Sequence, residues 1–544
     1  MKKLFTTAAI ICSFFIACNN NGQDVNGAND SSEKKKISKR DFSVTPKNAY
    51  NDIFLDSNNV EKFISEKQLA DSLARRVRSF YNARNYQFAW FSSKGLTEQG
   101  LTFWNIHNYQ TTAGDTALKN PMLQKKMDAL VADSSFSVSP KDKSMVNTEI
   151  TLTEHFIRYT LSNYEKGYVK RKEMERFIPI KKENPLYLAD SLLNKKHKDE
   201  KYFEDVNTAY KLLKEELRRY VDIAQKDGWQ PLSTNAKQFK KGTSSPAIAA
   251  LKIRLQVTGH MPTGDTSQMF TDTLLMGIKH AQQTYGYKPD GVITASLLKD
   301  LNVTVQKRIE QILVNMGRMR WMPQEPDGRL ILVNIPEFVL HFFDGKKKVF
   351  DMPVVVGKEG NNTMIFTGKL STVVFSPYWN VPPSIVKKEI LPKLESDPDY
   401  LVKENMEITG ELGGLPVIRQ LPGDKNSLGR VKFLFPNSFN IYFHDTPAKS
   451  LFNKDKRAYS HGCIRLSDPV KMAEYLLKDN SAWPTDKIIE SMNSGNEKYV
   501  KVKDPVPVFI TYYTAWVDEN GILNFREDIY KRDAAVAKKM FAIN

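Results

Sequence analysis

The stretch RLILVNIPEFVLHFFDGKKKVFDMPVVV, Arg329 to Val356, is where the chain changes texture. Leu330 to Asn334, Phe338 to Phe343 and Lys348 to Val356 are extended runs rich in β-branched and aromatic residues. Asp344-Gly345 supplies a tight hairpin turn between the last two. Thr372 to Tyr378 and Asn440 to His444 continue the pattern, so residues 327–514 are predicted to form a β-rich, β-sandwich-like domain. Between Trp379 and Gly429 the strands are interrupted by a stretch holding Pro382, Pro383, Pro392, Pro398, Pro416 and Pro422. About fifty residues are too many for a connector, which predicts an insertion, a lid over about residues 381–429, beside a functional site.

Upstream the apolar period is helical. Phe203, Val206, Tyr210, Leu213, Leu217 and Tyr220 fall on one face, as do Leu152, Phe156, Ile157, Leu161 and Tyr164. These are core-facing stripes, and residues 45–243 read as a helical scaffold with no groups clustered for chemistry. Residues 244–304 predict three short helices: around Ile248, Leu251 and Leu255, around Leu274, Ile278 and Tyr285, and over Thr294 to Leu301. A Pro289-Asp290-Gly291 turn precedes the third. A connecting helix on Val305, Ile309, Ile312 and Met316, within 305–326, leads out to Trp321 and Pro323, and 515–544 is left as a C-terminal tail. The fold class is therefore multi-domain α+β, in keeping with 544 residues.

A hydrophobic content of 41% with 26% charged residues excludes wholesale disorder. The net charge of +17 is modest over this length. With no basic stripe interleaved with aromatics and no zinc-finger spacing, nucleic acid is not an expected partner. The N-terminus carries Lys2 and Lys3, then an apolar stretch from Leu4 to Ala17 ending in Phe15-Ile16-Ala17-Cys18, the pattern of an export signal over 1–18. Polar residues 19–44, with the run Lys34-Lys35-Lys36, read as a disordered tether. The signal stretch is too short to span a bilayer, and no later stretch reaches the roughly eighteen apolar residues of a membrane helix. The residues before Cys18 resemble the lipobox of bacterial lipoproteins, which implies lipid attachment to Cys18 and a membrane-anchored, periplasmic place in a Gram-negative-type envelope. Of the 3 cysteines, Cys12 and Cys18 lie in this segment, so the exported folded part holds Cys463 alone and forms no internal disulfide.

That cysteine sits in Ser460-His461-Gly462-Cys463-Ile464-Arg465, and Ile441-Tyr442-Phe443-His444-Asp445-Thr446 precedes it. A thiol titrates near 8.5, so a neighbouring imidazole that takes its proton, or stands beside it as imidazolium, makes it nucleophilic at neutral pH. Gly462 lets backbone approach a substrate, and amides around Cys463 are candidates for an oxyanion hole. The combination points to acyl transfer through a thioester.

These residues resemble the catalytic motif of bacterial L,D-transpeptidases, in which a His is followed by Ser/Thr-His-Gly-Cys and then an Arg. The resemblance extends to Trp379-Asn380-Val381-Pro382-Pro383 and to Leu428-Gly429-Arg430-Val431-Lys432-Phe433, and to the large members that combine a scaffold, a peptidoglycan-binding domain and a Cys-catalytic domain. The three helices of 244–304 likewise resemble the small peptidoglycan-binding domain. By this resemblance Cys463 is the nucleophile, His444 its general base, and the backbone carbonyl of Asp445 the third member, with Ser460 and Gly462 fixing the loop. Arg465, His461, Ser460, Tyr442 and Trp379 are the candidate substrate-binding residues, Arg465 pairing either with a substrate carboxylate or in a structural ion pair. The implied reaction attacks a muropeptide stem after its third residue, expels D-Ala and passes the stem to an amine of a second stem, giving a 3→3 crosslink. It needs no metal and no cofactor, and carbapenems are expected to acylate the thiol. A zinc site on His444, His461 and Cys463 lacks a fourth ligand. A cysteine hydrolase or carboxypeptidase of the same fold and a non-catalytic wall-anchoring lipoprotein remain as alternatives.

Overall fold

The structure, a computed structural model, describes residues 37–112, 114, 116–133, 136–164, 177–194, 208–322 and 326–542. The export segment with Cys18, most of the expected tether, and Phe203, Val206 and Pro323 lie outside the described residues. The end of that tether is docked: Ser38 and Val44 are buried, the Ser38 N–H donates to Ser79 Oγ, and Asn82 Nδ2 donates to the Ser38 carbonyl.

Helices Ser57–Glu66, Asp71–Ala83, Glu98–Thr112, Pro121–Ala132, Lys143–Tyr164, Pro185–Leu193 and Thr208–Gln225 build the scaffold around a small hairpin, β1 (Phe91–Ser92) and β2 (Gly95–Leu96). Two of these helices start the same way. Asn120 and Asn184 cap them through side-chain oxygens that accept from the Leu123 N–H and from the Leu186 and Tyr187 N–H groups, and each is followed by proline, whose missing N–H costs nothing there. The Phe156 ring packs edge-on against Trp90 and Phe103 at 5.3 and 5.4 Å. Helices Pro246–Val257, Asp272–Thr284 and Ala295–Leu301 follow, the last two capped by Thr271 and Thr294. The helix Val305–Met319 then runs between the units, and its buried Arg318 bridges Glu98 of the scaffold and Asp533 near the C-terminus.

The strands of the next unit are β3 (Arg329–Asn334), β4 (Val339–Asp344), β5 (Lys347–Gly357) and β6 (Phe366–Phe375). Three strands of an insertion come next: β7 (Trp379–Asn380), β8 (Met406–Leu412) and β9 (Leu415–Gln420). The main sheet resumes with β10 (Val431–Leu434), β11 (Phe443–His444), β12 (Ala458–Ser460), β13 (Ile464–Leu466) and β14 (Lys498–Thr511). Its order is β12-β5-β13-β11-β10-β6-β14-β3-β4, and β4 also pairs with β5. The sheet therefore closes on itself as a barrel rather than facing a second sheet as the sandwich expected from the sequence. Two long strands make this possible: β5 pairs with β4 and β13 on its two sides, and β14 runs antiparallel to β6 and parallel to β3. Ile331, Val333, Val373, Phe433, Phe443, Ile464 and Val508 are among the side chains filling its interior.

The insertion folds as a three-stranded sheet, β7-β9-β8, with the helical stretch 383–396 and an apolar centre of Val381, Val386, Ile390 and Ile418. Residues 515–542 are not a free tail. A hairpin, β15 (Ala515–Val517) with β16 (Leu523–Phe525), and the helix Arg532–Met540 send Ala515, Leu523, Phe525, Val536 and Phe541 into the core shared by the scaffold, the three short helices and the connecting helix.

Candidate active site

Strand pairing places the chemistry. The short strands β11 and β13 run parallel with Phe443 opposite Ile464 and His444 opposite Arg465. Phe443 and Ile464 are fully buried in the barrel core. Successive side chains of a strand point to opposite faces, so His444 on β11 and Arg465 on β13 are turned to the far face, and Tyr442 and Cys463 stand immediately before the two strands, which puts the expected nucleophile next to the residue paired with Phe443.

His444 is 4% exposed, and its Nδ1 lies 2.6 Å from the carbonyl oxygen of Asp445. A carbonyl only accepts, so Nδ1 carries the proton and Nε2 keeps the lone pair. Burial, then the Arg465 charge, push this imidazole down to about 3, so it is neutral at neutral pH. The carboxylate of Asp445 has a different task. It accepts from the Arg430 N–H at 2.9 Å and from Lys449 Nζ at 2.6 Å, which fastens the carbonyl holding His444 to the end of the insertion. A Cβ on Gly429 would fall 2.3 Å from Asp445 Oδ2, and its φ of +62° favours glycine again, so the close approach depends on this residue.

The Cys463 thiol donates to the Asn440 carbonyl across 3.7 Å, and among the described residues no hydrogen bond joins it to His444. A catalytic contact of this kind commonly tightens only when substrate is bound. Burial pushes the thiol up to about 11, against smaller downward contributions from the Tyr442 backbone and phenol and from Arg465. Burial and the adjacent sulfur together raise the Tyr442 phenol, which stays a neutral donor beside Sγ. The resting pair is thus neutral thiol and neutral imidazole, not an ion pair. Arg465 is half-buried with its Nε unpartnered, and no acidic side chain among the described residues reaches it within ion-pair distance. That leaves its Nε without a protein acceptor, on the face that carries His444.

The turn into Cys463 is held by contacts the sequence did not disclose. Ser460 Oγ donates to the Cys463 carbonyl and accepts from the Gly462 N–H at 3.1 Å. The Gly462 amide expected at an oxyanion hole is therefore already engaged within its own loop. Buried Thr363 donates to the Gly462 carbonyl at 2.8 Å and accepts from the Gly357 N–H at 2.9 Å, and the Tyr530 hydroxyl donates to the Gly357 carbonyl at 2.5 Å. No local pattern points to Thr363 or Tyr530, since both act across long sequence distances. His461 lies at the mouth with Nε2 2.6 Å from Glu389 Oε1 of the insertion. Trp379 packs on the insertion's apolar centre, at its root, so its contacts are with that unit. Among the described residues no group of three or more His, Cys, Asp or Glu is arranged to hold a metal ion.

Residues 328–508 match the family model of the L,D-transpeptidase catalytic domain, YkuD, and residues 75–217 match that of the Scaffold domain. A curated protein of Haemophilus influenzae named "Putative L,D-transpeptidase" is 32% identical over 254 residues, 44% of this chain and 50% of that protein. The chain thus spans about half the length of this curated relative. Of solved structures, an L,D-transpeptidase from Stackebrandtia nassauensis is 15% identical, covering 50% of this chain and 93% of its own, with a TM-score of 0.21. An L,D-transpeptidase in complex with imipenem is 15% identical, covering 34% and 59%, with a TM-score of 0.17. On the family match and the curated relative, residues 328–508 of this chain are an L,D-transpeptidase catalytic domain of the YkuD family.

Proposed function

We propose that the chain forms 3→3 crosslinks in peptidoglycan by transferring a stem peptide through a thioester on Cys463. The observation that carries this is the β11–β13 register, which sets a neutral, carbonyl-anchored imidazole on β11 beside the strand that a neutral thiol immediately precedes. As Sγ attacks the carbonyl carbon of the donor's third residue, His444 Nε2 takes the thiol proton and then delivers it to the departing D-Ala nitrogen. An amine of the acceptor stem attacks the thioester, the new C–N bond forms, and the sulfur leaves and is reprotonated through His444. A buried thiol that ionises only as the bond forms avoids holding an unpaired anion in the resting site. Arg465 receives a carboxylate of the donor, and the insertion limits water at the thioester.

The same reading gives the three short helices of 244–304 a part in binding peptidoglycan, and gives the N-terminal segment export and lipid attachment at Cys18, with a periplasmic site of action. A carbapenem, whose strained lactam presents the same electrophile, is expected to acylate Cys463. The test is incubation of the soluble chain with defined tetrapeptide muropeptides and mass analysis of the products. Crosslinked dimers with released D-Ala support the proposal. Tripeptides alone would make the enzyme a hydrolase, and unchanged substrate would leave it a wall-binding protein. For the anchor, Cys18→Ser should release the protein from the membrane fraction, and retention there would refute lipidation.

A further inference from the structure

The insertion sends one charged side chain to the catalytic loop. Glu389 lies in the helical turn Val386–Ile390, and its Oε1 stands 2.6 Å from Nε2 of His461, two residues before the nucleophile. The two side chains are partly exposed, 43% and 33%, so the pair is open to solvent. A carboxylate only accepts, so it requires the proton on Nε2 and leaves the Nδ1 lone pair to take another. This is the arrangement of His444 with the roles of the two nitrogens exchanged, with a carboxylate in place of the carbonyl and with partial exposure.

The proposed transfer reaction contains a proton that His444 does not handle. An alkylamine acceptor with a pKa near 10.4 enters at neutral pH as ammonium, and only about one molecule in 10³ is free base. His444 serves the proton that passes between nitrogen and sulfur as the C–N bond forms and the C–S bond breaks. The extra ammonium proton needs a second base. Resting on the transferase reading, we propose that His461 is that base and that Glu389 is its positioning residue. The acceptor R–NH3+ gives one proton to His461 Nδ1, and R–NH2 attacks the thioester. The amide and the Cys463 thiol are regenerated, and His461 returns the proton to water. The sum is thioester plus ammonium giving amide, thiol and one released proton. The charged partner of His461 is Glu389, which shares its turn with Lys387 and Lys388 and interacts electrostatically with Lys393; the loop after β5 carries Lys358, whose N–H donates to the Ser460 carbonyl, and Glu359. Glu359 is paired with Lys531 and so is not available to His461 in the same way.

The experiment compares wild type, Glu389→Gln, His461→Gln and the double variant in the full exported chain. Two steps are read: the burst of D-Ala from a tetrapeptide donor without acceptor, and dimer formation with acceptor from pH 6.5 to 9.5. Glu389→Gln should keep the burst rate within about twofold while lowering dimer formation about tenfold at pH 7, at the low end of general-base effects. The deficit should shrink toward about twofold by pH 9.5, where about one acceptor molecule in ten is already free amine. Glu389→Asp should restore part of the loss, and the double variant should be no worse than His461→Gln alone. An equal fall of burst and transfer at every pH would show that the pair only shapes the loop and would overturn the proposal, as would unchanged transfer. Absence of both burst and dimer in the wild type would instead overturn the transferase reading itself.

Discussion

His155 in the scaffold and His444 in the barrel are both buried, at 6% and 4% exposure, and burial pushes them down to about 4 and about 3. His155 offers its Nδ1 to His107 Nε2 at 2.9 Å, and the His107 ring stacks on Trp104 at 4.7 Å, inside an aromatic core. His444 offers its Nδ1 to a backbone carbonyl and ends β11, beside the parallel strand β13 that Cys463 immediately precedes. Loss of basicity is therefore a mark of burial in both regions and identifies neither as catalytic. What separates them is the neighbour: a second imidazole that closes a structural network, or a sulfur with a proton to give. The same contrast runs between the two scaffolds of hydrogen bonds, one serving packing and one aiming a lone pair.

The largest effect that can break this comparison is on turnover. His444→Gln should lower acylation by roughly 10³-fold, within the usual range for a lost general base. His155→Gln should leave acylation within about twofold of wild type. A comparable loss in both, measured as D-Ala release, would mean that the scaffold histidine also serves the reaction.

Acid stability should show what the two share. An ordinary histidine takes a proton near 6.5, whereas these refuse it in the folded chain until about 4 and about 3. Below 6.5 the unfolded chain binds more protons, so each group's stability contribution is complete above that pH and is lost as pH falls toward the folded value. Between pH 6.5 and 4.5 the loss is roughly 2 kcal/mol for each. Replacing either by Gln should flatten the fall in melting temperature over this interval, and an unchanged slope would contradict the burial argument.

A smaller effect tests the loop. Thr363→Val removes the hydroxyl that joins Gly462 to Gly357 while keeping its shape, and leaves a buried carbonyl and N–H unpaired. Turnover should fall about tenfold with the melting temperature down by a few degrees, the size expected for one such unsatisfied group. The smallest signal is spectroscopic. With the thiol pushed up to about 11, thiolate absorbance near 240 nm should be missing at pH 7 and appear only above about pH 10. Thiolate present at pH 7 would replace the neutral pair by an ion pair.

The Cys463 and His444 motif stood out in the sequence because few residue types perform thiol chemistry; in the fold His444 ends β11 and Cys463 immediately precedes β13. Barrel closure was not readable. Its key strand β14 contains Pro505 and Pro507, which weaken any strand signal, and the pairing with β6 shifts register between Lys501 and Val506 to accommodate them. The C-terminal stretch looked like a tail because its elements are short; their stability comes from burial against the scaffold. Glu389 and Thr363 reach the loop from 72 and 99 residues away along the chain and Tyr530 reaches Gly357 from 173, and local periodicity carries no trace of such contacts. The contact that the Gly462 amide makes, to the Ser460 hydroxyl two residues away, was not readable either.

The account's central claim is that Cys463 carries the stem as a thioester. Mass spectrometry of the intact chain, quenched in acid after mixing with a tetrapeptide donor and then mapped by peptide, tests it most directly. The expected result is an added mass equal to the donor less D-Ala, located on the peptide containing Cys463 and missing in Cys463→Ala. An adduct that persists in that variant, or D-Ala release with no adduct on this peptide at any quench time, would contradict it.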